Sequence, residues 1–185
     1  DGTEFHIEYY RPRTRGRDKL FGHDSVVWEH IWTTGANWAT TIEFNKAIQF
    51  EGTTIEPGIY SLWIAMSEDE LMPETLIFEP DTRIFHTEPP EDEGDQIKFP
   101  IEMTESDGFR DLLTWDFETY SSSGGTLALM WGDHRMAWDI KVEPSMRLTV
   151  TPDEAASVLG EYEISMMGGP PSQFRIWYEE DTEIL

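Results

Sequence analysis

Cysteine is absent from the 185 residues, which excludes disulfides, thiolate metal sites, a cysteine nucleophile and thiol redox chemistry. Basic residues are scarce: thirteen Lys and Arg stand against thirty-seven Asp and Glu, a formal net charge of −24 with a pI near 4.3. A chain so short of cations cannot release the counterions of a phosphate backbone, so no nucleic-acid partner is expected and anionic lipid is disfavoured likewise. No run approaches the about 18 apolar residues of a membrane-spanning helix. Catalytic signatures are missing too: there is no G-x-S-x-G to nominate a serine, no phosphate loop and no dinucleotide fingerprint. An acid-rich chain supplies carboxylate pairs by composition alone, so none can be assigned to glycosidic cleavage. The five histidines, His6, His23, His30, His86 and His134, share no H-x-H or H-x-x-x-H spacing. These absences leave no catalytic residue, metal or cofactor to expect.

What the chain does hold begins with size. At 185 residues it is one domain, or one with an extension, and can bury roughly 70% of its unfolded surface without covalent staples. It opens Asp1-Gly2 rather than on methionine, as an exported protein relieved of its signal peptide would, so a periplasmic or extracellular location is expected. Eight tryptophans in a chain of mean hydropathy −0.49 are many, and some are expected at an interface.

Strand periodicity dominates residues 5–143. In FHIEYY, Phe5, Ile7 and Tyr9 alternate with polar residues up to the stop at Pro12. TTIEF and AIQFE place Ile42, Phe44, Ile48 and Phe50 on one expected sheet face, and EPGIYSLWI follows after a turn. HDSVVWEHIWTTGANW reads as a short helical turn entering a loop, with Gly35 and Asn37 supplying positive φ. Leu76–Phe78, QIKFPIEM, LLTWDFETY, TLALMW and RMAWDIKVE each read as short strands, the acidic stretch 87–95 as an exposed loop without the ligand pattern of a calcium site.

The basic residues are concentrated. RPRTRGRDK holds Arg11, Arg13, Arg15, Arg17 and Lys19, five of the thirteen in nine residues. Such a run either neutralises the protein's own carboxylates or clamps an anion, since guanidinium forks match carboxylate and phosphate bidentately. YYRPRTRGR, WTTGANWATTIEF and EGTTIEPGIYSLW, in that order, resemble the bacterial DUF2911 family, a family of unknown function. Its pattern runs Y-S-R-P-x-x-x-G-R, W-R-T-G-A-N-E-A-T-T-I-x-F and G-x-x-L-P-A-G-T-Y-S-L-F, and a weaker likeness continues to about residue 143. The resemblance implies an exported protein and supplies no chemistry. Arg11 and Arg17 fall on its R-P and G-R positions and are expected to be held by carboxylates or carbonyls, with Arg13 and Arg15 freer. Thr33 replaces the pattern's arginine and Trp38 its glutamate, so a charged pair of the relatives is absent here. Arg11, Arg13, Arg15, Arg17, Trp32, Asn37 and Trp38 are therefore the candidate binding residues.

From Pro144 the character changes. Thr151-Pro152-Asp153-Glu154 is a helix start with an N-cap hydroxyl, proline at the first position and Glu at the third, and Gly160 is expected to close the helix. EYEIS and QFRIWYEED then read as a hairpin turned at residues 168–171. The expected architecture is an all-β, antiparallel sandwich of jelly-roll type over residues 1–143, with a helix-plus-hairpin extension over 144–185. The expected function is a non-catalytic accessory subunit docking on a protein partner with a cationic face, such as a membrane complex at the outer face of the envelope. The alternative is a carbohydrate- or small-ligand-binding module, or a hydrolase, using a sheet face lined by Trp63, Trp115, Trp131 and Trp138.

Overall fold

Residues alternating between core and solvent need two layers to bury one face each, and the chain supplies both. The computed structural model describes residues 2–22, 25–68, 74–144, 151–165 and 171–178. They fall into two units, residues 1–144 and 145–185, each described by itself. In the first unit, one sheet contains β1 (Phe5–Glu8), β2 (Ile31–Thr33), β3 (Thr40–Phe44), β6 (Gly58–Ala65), β7 (Glu74–Glu79) and β8 (Ile97–Ile101). They lie in the order β1-β3-β6-β7-β8, with β2 also on β6. The other contains β4 (Ile48–Phe50), β5 (Thr53–Ile55), β9 (Thr104–Ser121) and β10 (Gly124–Val142), in the order β5-β4-β10-β9. All pairings are antiparallel. The protein is an all-β sandwich.

The core lies between the layers. Ile42, Phe44, Leu62, Ile64 and Phe78 of one sheet pack in one cluster with Ile48, Phe50, Leu113, Trp115 and Trp138 of the other. Phe50 sits among Phe99, Phe78 and Trp138 at ring-centroid distances of 4.4, 5.8 and 6.4 Å. This corrects the expectation that Ile42, Phe44, Ile48 and Phe50 share one sheet face. The corner at residues 45–47 carries the chain from one layer to the other, so the same alternation serves facing sheets. Glu51 and Gly52, with φ of 47° and 78°, then form the tight turn joining β4 to β5.

Two further expectations change. TLALMW and RMAWDIKVE belong to one strand, because β10 runs nineteen residues without a break against the eighteen of β9. Irregularity is absorbed by β9 instead: from Met130↔Thr114 to Gly132↔Arg110, β10 advances two residues while β9 advances four. The expected helical turn before Gly35 is replaced in part by β2, whose Trp32 and Thr33 pair with Ile64 and Trp63. Strands β2 and β3 thus lie along the same edge of β6, with residues 34–39 between them.

Strand β6 is buried on both faces. Its Trp63 points away from the main core into a smaller cluster with Ala39 and Ile77, against which Ile84 packs. The Trp63 indole N–H donates to Ser61 Oγ at 2.9 Å, and that hydroxyl donates to the Asp81 carbonyl at 2.6 Å.

In the second unit Thr151 caps the one-turn helix α1 (Pro152–Ala155) through the expected capping box with Glu154. The helix ends by hydrogen bonds from the Val158 and Leu159 amides to the Ala155 carbonyl, so Gly160 opens the next strand rather than closing the helix. Strands β11 (Gly160–Ile164) and β12 (Ser172–Ile176) form the expected hairpin, with Tyr162 stacked on Phe174 at 5.2 Å. Residues 168–170 of its turn lie outside the described residues.

Candidate functional site

The first strand ends at Glu8, earlier than the expected stop at Pro12, and from Pro12 the arginine segment adds to the edge of β9. The Leu113 amide donates to the Pro12 carbonyl at 3.0 Å and the Thr14 amide to the Asp111 carbonyl at 2.8 Å. The chain then reverses at residues 14–17. Arg15 and Gly16 both have positive φ, 54° and 68°, and the Arg17 amide donates to the Thr14 carbonyl at 3.2 Å, the pattern of a type I′ turn. An arginine in the left-handed region is uncommon, because its Cβ crowds the following carbonyl.

Asp111 fixes this segment. Its carboxylate accepts from the buried Thr14 hydroxyl at 2.7 Å and from the Arg13 guanidinium at 2.6 Å. The Thr14 hydroxyl first, and Arg13 second, hold the Asp111 carboxyl below the usual aspartate range. Arg11 donates to the Leu113 carbonyl at 3.0 Å and to Thr114 Oγ1 at 2.8 Å, and Arg17 to the Thr14 carbonyl at 3.2 Å, in keeping with the expectation that these two are held. Arg13 departs from its expected freedom, because β9 presents Asp111 where the segment pairs. Arg15 has no hydrogen bond or ion pair among the described residues.

The other wall comes from WTTGA. Its threonines are buried and hold backbone: Thr33 Oγ1 accepts from the Thr40 amide at 3.4 Å and Thr34 Oγ1 donates to the Leu62 carbonyl at 3.3 Å, while the buried Thr40 of β3 donates through Oγ1 to the Thr34 carbonyl at 3.1 Å. The Trp115 indole also donates to the Thr34 carbonyl, at 3.3 Å. Gly35 is not in the positive-φ region as expected. It is required by close approach, since a Cβ there would lie 2.9 Å from Thr40 Oγ1 and 3.1 Å from the Tyr10 carbonyl. Asn37 does take positive φ, 63°, and its carbonyl accepts from the His86 amide at 2.7 Å.

Between these walls lies a cleft of about 380 Å³. Arg13, Arg15 and Arg17 line it from one segment; Trp32, Thr33, Gly35 and Ala36 line it from the other; His30, His86 and Trp131 contribute as well. No Asp or Glu is among its described lining residues. Of the seven candidate binding residues, the structure brings four together here: Arg13, Arg15, Arg17 and Trp32. Arg11 is spent on β9, and Asn37 serves the loop backbone. Trp38 belongs to a separate depression with Tyr10 and Arg83, its ring edge-on to Phe85 at 5.4 Å. Thr33 and Trp38, the two positions that depart from the family pattern, therefore open onto different parts of the surface.

Sequence reasoning missed His30, His86, Val27 and Ile31, and named Trp131 only for the alternative sugar-binding face. Nothing in their spacing joins them, because β2, β10 and the loop after β7 meet only in three dimensions. Trp32 and Trp131 lie nearly parallel at 6.2 Å and 12°, and Phe21 stands edge-on to both. The Trp131 indole N–H is buried without an acceptor among the described residues. The tryptophans named for a sugar-binding face are interior: Trp63, Trp115, Trp131 and Trp138 are 0, 7, 4 and 4% exposed. Among the described residues no three His, Asp or Glu side chains are placed to hold a metal ion, and no helix is long and apolar enough to cross a membrane.

No curated protein and no solved structure matches the chain. The model of the family described as "Protein of unknown function (DUF2911)" matches residues 1–140, the sandwich and both walls of the cleft, and the chain belongs to that family.

Proposed function

We propose that this chain is a non-catalytic, exported binding protein whose sandwich presents the arginine cleft to an anionic ligand. One observation carries the reading. Thirty-seven acids are spread over the chain, yet the cleft takes three of the thirteen basic side chains and two of the five histidines with no Asp or Glu among its described lining residues, and of the three arginines Arg13 alone is paired with a described carboxylate, that of Asp111. Guanidinium groups at a concave site bind carboxylate and phosphate by paired, charge-assisted hydrogen bonds. Two sequence-distant segments, RPRTRGR and WTTGA, supply its walls, and both belong to the resemblance with the family pattern.

Thermal unfolding in citrate, compared with chloride at equal ionic strength, tests this reading. A ligand of the native state alone raises the melting temperature by mass action. Citrate is expected to raise it saturably in the parent chain and much less in Arg15→Ala and Arg17→Ala. Equal melting temperatures in the two salts for the parent chain would remove the support for an anion site.

A second reading, docking as an accessory subunit on a cationic protein partner at the envelope, draws on exposed aromatics of the long hairpin. Phe109 and Tyr120 are 66 and 77% exposed. An acidic surface would steer such a partner, with association slowing as salt rises. Copurification from gently solubilised envelopes at low and high salt distinguishes the two; recovery of a monomer alone at both favours the ligand-binding reading.

A further inference from the structure

The cleft is more than cationic. Beside the arginines it is lined by Pro12, Val27, Ile31 and Trp32, and Val27 is 47% exposed. An apolar side chain kept open next to guanidinium groups provides contact area that a small inorganic anion does not use. The volume of about 380 Å³ falls in the range of small-molecule sites, roughly 300–1,000 Å³.

Resting on the anion-site reading above, we infer that the ligand is an amphipathic organic acid. Its oxyanion head, carboxylate or phosphate, meets Arg13, Arg15 and Arg17. Its flat apolar body lies against Val27, Ile31 and Trp32. Charge complementarity selects the head, because no Asp or Glu is among the described lining residues and Arg15 and Arg17 have no described carboxylate partner. The rings and branched side chains select a flat, apolar body over a hydroxylated one, which would have to give up its water.

Calorimetric titration of the full chain tests this with 2-naphthoate and 2-naphthyl phosphate as amphipathic anions, 2-naphthalenemethanol as the neutral analogue, and acetate and inorganic phosphate as bare heads. At least one naphthyl anion is expected to bind about tenfold more tightly than both the alcohol and its own bare head, and the tighter of the two identifies the head group. Arg15→Ala is expected to weaken every anion. Val27→Ser, at an exposed position, is expected to weaken the naphthyl anions and leave the bare heads unchanged. Bare heads binding as tightly as the naphthyl anions would overturn the amphipathic inference while leaving the anion site standing. No anion binding, or an alcohol binding as tightly as the naphthyl anions, would overturn both.

Discussion

Asp111 governs how the arginine segment is presented, since one carboxylate holds both Thr14 and Arg13. Its depressed pKa, caused first by the Thr14 hydroxyl and then by Arg13, makes that hold pH-dependent. The folded-state pKa lies below the unfolded one, so the contribution is complete above the ordinary aspartate range and is lost as pH falls through the folded value. The window therefore lies below about pH 4. Asp111→Ala is expected to unfold at a lower temperature than the parent near neutrality, with the gap closing as pH is taken below that range. Melting curves across pH 3 to 7 check it, and a gap constant with pH would separate Asp111 from the effect. At this scale the sequence was partly legible. Five cations in nine residues stand out in an acidic chain, and Arg11 and Arg17 are held as expected. Arg13 was misplaced because its carboxylate partner lies ninety-eight positions away on another strand.

Gly132 ties the long hairpin to the cleft. It lies next to Trp131 in the irregular part of the β9–β10 pairing, with φ of 65°. A Cβ at that position would meet Leu20 Cδ1 at 2.6 Å, and Leu20 is the buried residue at which the arginine segment enters the core. Gly132→Ala both strains the backbone and displaces Leu20, so a loss of about 1–3 kcal/mol is expected. Urea unfolding measures it, and a variant as stable as the parent would show that the strand repacks without cost. Alternation made β3, β4 and β10 readable as strands, because each buries every second residue along part of its length. It could not say which layer a strand joins: the corner at residues 45–47 that divides Ile42 and Phe44 from Ile48 and Phe50 has no distinctive residue pattern. Nor could it show that β10 is continuous. Gly132 reads locally as a break between TLALMW and RMAWDIKV, whereas β9 absorbs the irregularity through its extra residues.

At the scale of the whole molecule, a net charge of −24 is a load on the folded state, because compaction brings like charges together. Local pairs relieve it at a few points: Lys98 meets Asp92 at 2.6 Å, and Arg135 holds Glu118 through a forked contact. Thirteen cations cannot neutralise thirty-seven carboxylates, so most of the repulsion is left to the solvent. Screening shortens its reach from roughly 30 Å at 0.01 M ionic strength to about 8 Å at 0.15 M. Exposed ion pairs lose little when screened, since each contributes at most about 1 kcal/mol. The repulsive sum should therefore dominate, and the melting temperature is expected to rise as sodium chloride increases over this range and then to level off. Calorimetric scans at fixed pH check the sign. A melting temperature that falls with added chloride would mean that the few ion pairs outweigh the excess of carboxylates, and that the acidic surface is not what limits stability at low salt.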